Sequence, residues 1–156
     1  MVEFSNAERT AAREMVVFRV DAQDYCIDVG NVREIRAWTP ATTIPHAPTF
    51  MRGVINLRGT VLPIVDFAAR LGFKSAEPTS RHAILVVEVH DQAIGLMAEG
   101  VSEILTLDPA QIQPTPEVAS QAAKDLVSGV IAMDGRMISR IDLDAVFPRG
   151  ADAAAA

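Results

Sequence analysis

Three histidines, one cysteine and a surplus of acids over bases are the raw material for chemistry in this 156-residue chain. His46, His82 and His90 are scattered and lack metal-ligand spacing, so satisfied or surface histidines are expected instead of a metal site. Cys26 sits in a strand-like run with no histidine beside it in sequence, which points to an inert buried thiol. The acids are numerous, but no motif pairs two of them for proton transfer. The glycines at 53 and 59 do not frame a phosphate loop, because no Gly-Lys-Ser/Thr ending follows. These residues predict a protein that is not an enzyme and that carries no metal or cofactor.

One segment stands apart: Gly53-Val54-Ile55-Asn56-Leu57-Arg58-Gly59-Thr60-Val61-Leu62-Pro63-Ile64-Val65-Asp66. Asn56 and Arg58 alternate with Ile55 and Leu57, so both polar groups can share one face of a strand. Gly59 lets the chain reverse directly after Arg58. A solvated hairpin tip would have this pattern, and so would an arginine held rigidly at a binding edge. A guanidinium in the second setting can hold a carboxylate in a fork.

Composition sets the frame for these residues. Apolar types make up 49% and charged types 22%, a globular balance with no signature of disorder. The net charge is −6 and no basic stripe is visible, which argues against nucleic acid as a partner. Residues 1–75 carry 9 basic and 8 acidic side chains, whereas residues 76–156 carry 5 and 12. A single cysteine excludes an intramolecular disulfide. The first residues show no secretory pattern, and no apolar run approaches the ~20 residues of a membrane span. The expectation is a cytoplasmic protein with no direct membrane insertion.

The elements that must position Asn56 and Arg58 read mainly as β. Strand-like runs at 15–20, 25–28, 53–57, 60–65, 83–89, 93–98, 127–133 and 136–141 are separated by turn signals. Asp134-Gly135 is the strongest of these, since the pair tolerates the positive φ of a type I′ turn. Short helices are expected at 66–71 and 142–147, with Asp66 and Asp142 as caps. Flexible tails are expected at 1–14 and 148–156.

The pattern repeats. A shift of 69 lays residues 17–35 over 86–104 without a gap, matching Val17, Val20, Gln23, Val32, Glu34 and Ile35 with identical residues. After a seven-residue insertion the shift becomes 76, and Gly53-Val54-Ile55, Gly59 and Asp66 fall on Gly129-Val130-Ile131, Gly135 and Asp142. Two repeats of about five short strands predict two small barrels packed side by side, each closing to remove its edges. The expected limits are one domain at 15–147. Its first barrel should lie at about 15–70 and its second at about 80–147, with exchange of strands between them as an open alternative. Phe18, Val20, Val87 and Val89 are expected to point inward. Val17, Arg19, Val86 and Glu88 should line the opposite face.

The Asn-Leu-Arg-Gly segment closely resembles the hallmark stretch of CheW-like domains, a family of chemotaxis adaptors. The runs at 18–29 and 32–36 are similar to that family's first hairpin and following strand, and 94–105 to the matching part of its second half. The resemblance covers roughly residues 15–147. It implies two tandem SH3-like five-stranded β-barrels with short helices, in agreement with the duplication. It also implies a scaffold that couples chemoreceptors to the histidine kinase CheA. CheA would be bound through its own CheW-like regulatory domain, and the receptors through their cytoplasmic tips. Rings containing other copies of the chain are compatible with it. With no receiver or kinase domain in the sequence, the chain looks like a stand-alone module recruited to membrane-associated receptor arrays. The rival reading is a small ligand sensor or enzyme with a pocket between the barrels.

By the same resemblance, receptor binding falls to Glu34, Asn56, Arg58, Ile84 and Ile104, and kinase binding to Val16, Val29, Val32 and Val118. Glu34 and Arg58 are expected to form a partly buried pair beside an apolar groove for a helical tip. Glu103 repeats Glu34, but Asp134 stands where the repeat would place a second Arg58, so the arginine reads as specific to one barrel.

Overall fold

Four hairpins carry the architecture, and each closes on two consecutive residues of positive φ. Asp21 and Ala22 (φ 52° and 63°) join β1 (Arg13–Val20) to β2 (Gln23–Asp28), and Arg58 and Gly59 (50° and 85°) join β4 (Met51–Leu57) to β5 (Thr60–Asp66). His90 and Asp91 (52° and 62°) join β6 (Ala83–Val89) to β7 (Gln92–Ala98), and Asp134 and Gly135 (51° and 72°) join β10 (Val127–Met133) to β11 (Arg136–Ile141). Two-residue turns of this hand match the right-handed twist of the strands they connect. The computed structural model that shows this describes residues 12–74, 77–116 and 121–147. It adds β3 (Val32–Ala37), β8 (Gly100–Leu107) and β9 (Ile112–Gln113), with helices α1 (Phe67–Arg70), α2 (Gln121–Leu126) and α3 (Leu143–Val146). Asp66 and Asp142 cap α1 and α3 as expected, accepting from the N–H groups of Ala69 and Asp144.

The strands form two sheets, in the orders β8-β1-β2-β11-β10-β9 and β3-β6-β7-β5-β4. These are not the two sequence halves. The contiguous barrels expected at 15–70 and 80–147 are replaced by an exchange, in which each repeat's first hairpin crosses into the other repeat's sheet. The cause is local. Between β2 and β3 lies a single 3₁₀ turn (Val29–Asn31), and between β7 and β8 lies Glu99 alone, so each link steps straight from one sheet to the other. The register confirms the duplication. Cys26 pairs with Arg140 in parallel, and its counterpart Gly95 pairs with Ile64, the counterpart of Arg140. Glu103 lies opposite Val17, and Glu34 opposite Val86. The expected tail at 1–14 is shorter than anticipated, because Arg13 and Glu14 already pair with Leu107 and Thr106. Residues 1–11 and 148–156 of the two tails lie outside the described residues.

Each sheet curls until its ends meet. In the first, β8 leads through a 3₁₀ turn (Pro109–Gln111) into β9, which pairs with β10 at the far edge. In the second, Thr42 bridges Val54 of β4 at the equivalent place. This closure explains why both repeats keep glycine at 53 and 129. A Cβ on Gly53 would strike the Thr42 carbonyl, and one on Gly129 would strike Ile112 and the Gln113 carbonyl. Gly53 also has φ 145°, which disfavours any side chain there.

Three apolar clusters fill the molecule. Met15, Val17, Cys26, Leu107, Ile131 and Ile138 fill the first barrel, while Ile55, Leu57, Leu62, Ile64, Ile84, Val86 and Met97 fill the second. The largest cluster lies between the sheets and draws on both, including Phe18, Val20, Ile27 and Phe147 from one and Phe67, Val87, Val89 and Leu96 from the other. The expected facing of β1 and β6 is therefore inverted. Phe18, Val20, Val87 and Val89 point to the seam between the barrels, and Val17 and Val86 point into the barrels themselves. At the seam Phe67 meets Phe18 and Tyr25 edge-on, with ring centroids 5.7 and 5.4 Å apart.

Two outcomes follow from this exchange. Fragments 1–76 and 77–156 each lack strands from both sheets, so neither alone is expected to melt cooperatively, and mixing them should restore one transition by circular dichroism. A sharp transition in either fragment alone would contradict the exchange. Phe18→Ala removes a fully buried ring from the seam and is expected to cost about 3–5 kcal/mol by denaturant titration.

Candidate partner-binding site

The mouth of the second barrel holds Glu34, Asn56 and Arg58. Glu34 lies in the middle of β3, whose pairing with β6 is irregular between Val32 and Glu34. Arg58 occupies the first position of the β4–β5 turn in a left-handed conformation, and Gly59 the second. Asn56 is exposed beside Arg58. Its Oδ1 accepts the Gly59 N–H at 2.8 Å, so it braces the turn that aims Arg58.

Arg58 Nη2 donates to Glu34 Oε2 at 2.6 Å, and Arg36 Nη1 donates to Glu34 Oε1 at 2.9 Å. Each carboxylate oxygen thus has its own guanidinium. Arg36 was not anticipated, although it follows Glu34 by two residues and therefore shares its face of the strand. The Arg58 hydrogen bond, followed by that of Arg36, holds the Glu34 carboxyl below the ordinary carboxylate range, and Glu34 raises Arg58 in turn. The expected partial burial holds for the acid and not for the arginine. The Arg58 side chain is 67% exposed and that of Glu34 30%. Beneath them Leu57, Leu62, Val86 and Ala93 line a hollow that opens into the barrel's apolar filling.

The other expected contacts divide. Ile104 is 59% exposed on β8, an edge strand of the first sheet. Ile84 is 0% exposed inside the second barrel, so its expected place on the groove surface is corrected: it supports β3 from below, opposite Arg36. Val16 is 2% exposed and faces the seam, so it offers no surface to a partner either. Val29 and Val32 are half-buried against the edge of the seam cluster. Val118 lies outside the described residues.

The first barrel carries a pair that the repeat alignment missed. Arg136, at the start of β11, donates to Glu103 through Nη1 and reaches Asp24 Oδ2 at 3.2 Å through Nη2. The hydrogen bond to Glu103 raises Arg136 further. Asp134 does occupy the position of Arg58, but the cation enters two residues later, where the repeat places Thr60. The expectation that an arginine serves one barrel alone is therefore corrected: both acids hold one. The difference is placement, since Arg136 is 33% exposed and fixed between two acids.

The seam between the barrels is filled by apolar side chains, and the rival pocket shrinks to a hollow of about 40 Å³ at its edge, lined by Val20, Asp66, Lys74, His82 and Met97 among others. Cys26 is fully buried, and burial pushes its thiol up to about 12, which leaves it protonated and unreactive. Among the described residues no group of three or more His, Cys, Asp or Glu could hold a metal ion.

Comparison with known proteins places this geometry. The CheW-like domain model matches residues 14–150. A chemotaxis protein CheW of Rhizobium meliloti (strain 1021) is 55% identical over 136 residues, covering 87% of this chain and 88% of that protein. A chemotaxis protein CheW of Klebsiella aerogenes is 31% identical, covering 88% and 83%. The crystal structure of the scaffolding protein TtCheW from Thermoanaerobacter tengcongensis superposes with a TM-score of 0.81 at 30% identity, covering 89% of this chain and 94% of that one.

The Glu34 pair makes a direct pH prediction. Because its carboxyl is held low, the interaction is fully present above the ordinary glutamate range and is lost as pH falls through the depressed value. Carbon-detected titration of Glu34 should show a midpoint below that of a free glutamate. In Arg58→Ala the midpoint should rise toward the ordinary range while remaining below it because of Arg36.

Proposed function

The chain belongs to the CheW-like domain family, and on that premise we propose that it is a chemotaxis adaptor: a scaffold that couples chemoreceptors to the histidine kinase CheA without bond chemistry of its own. The observation that carries the reading is the Glu34–Arg58–Arg36 cluster, an exposed ionic marker braced by Asn56 above an apolar hollow. A side chain merely solvated at a turn needs no such bracing. A helical receptor tip needs a fixed polar marker beside an apolar surface, and this mouth offers both.

In this reading Glu34 and Arg58 touch the receptor, Asn56 positions Arg58, and Ile104 supplies an apolar contact from the other sheet. Ile84 contributes only by holding β3 in place. The kinase's CheW-like domain meets Val29 and Val32, together with Val118 of the 114–120 connection, and further copies of the chain can extend the same contacts into rings. The protein acts in the cytoplasm and is recruited to receptor arrays; no described helix is long and apolar enough to cross a membrane.

The test is a pair of titrations, against a receptor cytoplasmic fragment and against the CheA regulatory domain. Arg58→Ala should weaken receptor binding several-fold and leave kinase binding nearly unchanged. Because the guanidinium is exposed, the wild-type receptor affinity should fall as salt rises, and this slope should flatten in Arg58→Ala. Unchanged receptor affinity, with the same salt slope, would return Arg58 to the role of a turn residue.

A further inference from the structure

The two short helices that follow the repeats' last hairpins, α1 and α3, meet across the seam. Arg70 ends α1 in the second barrel. Its Nε donates to the Val146 carbonyl at 3.0 Å and its Nη2 to the Ala145 carbonyl at 2.8 Å, both at the end of α3. The guanidinium carbon lies 5.1 Å from the centroid of the Phe50 ring, which backs it from the second barrel's own side. The acceptors are the last carbonyls of a helix, which have no partner within it, so a cation there is well placed.

The position of this contact gives it meaning. Under the shift of 76, the repeat counterpart of Arg70 is Val146, the residue whose carbonyl it binds. A residue that touches its own counterpart lies at the axis relating the two repeats. Two arginines there would repel each other, and two valines would leave the carbonyls unpaired. One of each gives a directed link. The surrounding seam is apolar, including Phe67 of α1 and Leu71 just after it, and Leu143 and Val146 of α3 and Phe147 just after it. Apolar burial is non-directional, whereas a forked charge-assisted hydrogen bond specifies an angle.

We propose that Arg70 is a clasp that sets the orientation of one barrel relative to the other, by pinning the end of α3 to the end of α1. Resting on the adaptor reading, the clasp has a consequence for signalling. Receptor contacts lie chiefly on one barrel, and a fixed angle is what lets them act on a kinase bound elsewhere on the same body.

The experiment measures that angle. Val61 and Met137 are exposed, belong to different barrels and occupy equivalent repeat positions. Val61→Cys and Met137→Cys carry spin labels, while buried Cys26 stays unlabelled. Electron–electron distance measurement should give one narrow distribution in the parent and a broadened or displaced one in Arg70→Met, with the far-ultraviolet spectrum unchanged. Should Arg70→Met fail to fold, Arg70→Gln carries the same comparison. Superimposable distributions would overturn the clasp. This arm uses no partner, so it stands apart from the adaptor reading. In reconstituted arrays Arg70→Met should then lower kinase control by a larger factor than it changes either binary affinity. Loss confined to one binary affinity would make Arg70 a contact residue and would also overturn the proposal.

Discussion

The apolar seam between the two sheets is the constraint on which the rest depends. Each sheet buries both faces of its central strands, one against its own barrel filling and the other against its neighbour. Val17 and Phe18 are adjacent on β1, and both are 0% exposed, in different clusters. A barrel this small has too little interior to be stable alone, because surface outweighs volume at this size. The exchange of first hairpins resolves this by making each barrel incomplete without the other repeat. It also decides which strands form each mouth, since β3 and β8 leave the seam directly from the crossing links.

The duplication then diverged at those mouths. Ile64 is fully buried within the second barrel, and Arg140 replaces it in the first. Arg140 binds Asp28 and Ser128 there, at 2.9 and 3.0 Å, so that end of the first barrel is polar. The opposite mouth is tied shut by Arg136 between Glu103 and Asp24. In the second barrel the corresponding arginine has moved outward to a turn tip, and the hollow beneath it keeps its apolar lining. The same kind of ionic pairing is thus held between two acids in one repeat and exposed at a turn in the other. A scaffold built by duplication needs such a difference if its two barrels are to engage different partners.

Much of this was legible in the residues. The hairpin turns, the helix caps Asp66 and Asp142, and the duplication and its offsets follow from local rules: which residues tolerate positive φ, which accept an orphan N–H, which side chains share a strand face. The pairing of Glu34 with Arg58 was implied only by the family resemblance, because it joins β3 to the β4–β5 turn from opposite ends of the sheet's strand order. The Asn-Leu-Arg-Gly segment also carried the family resemblance, because its glycines answer backbone demands that few alternatives meet. Asn56 was placed correctly on the strand, and the structure adds a second role, since its Oδ1 accepts the Gly59 N–H and braces the turn.

What tertiary structure alone decided is which face meets what. Alternation along β1 and β6 separates two faces but does not say which enters the barrel and which the seam, when both are apolar. Strand exchange is equally silent in sequence, because a hairpin's own pattern is the same in either sheet; the three-residue and one-residue links impose the crossing only once the sheets exist. For this reason Val16 and Ile84 looked available to partners and are buried. Arg136 escaped notice because the repeat alignment compares positions, whereas an ion pair requires only that a long side chain reach its acid. Sequence determined the pieces and their symmetry, and packing between sheets determined which of their surfaces remain for function.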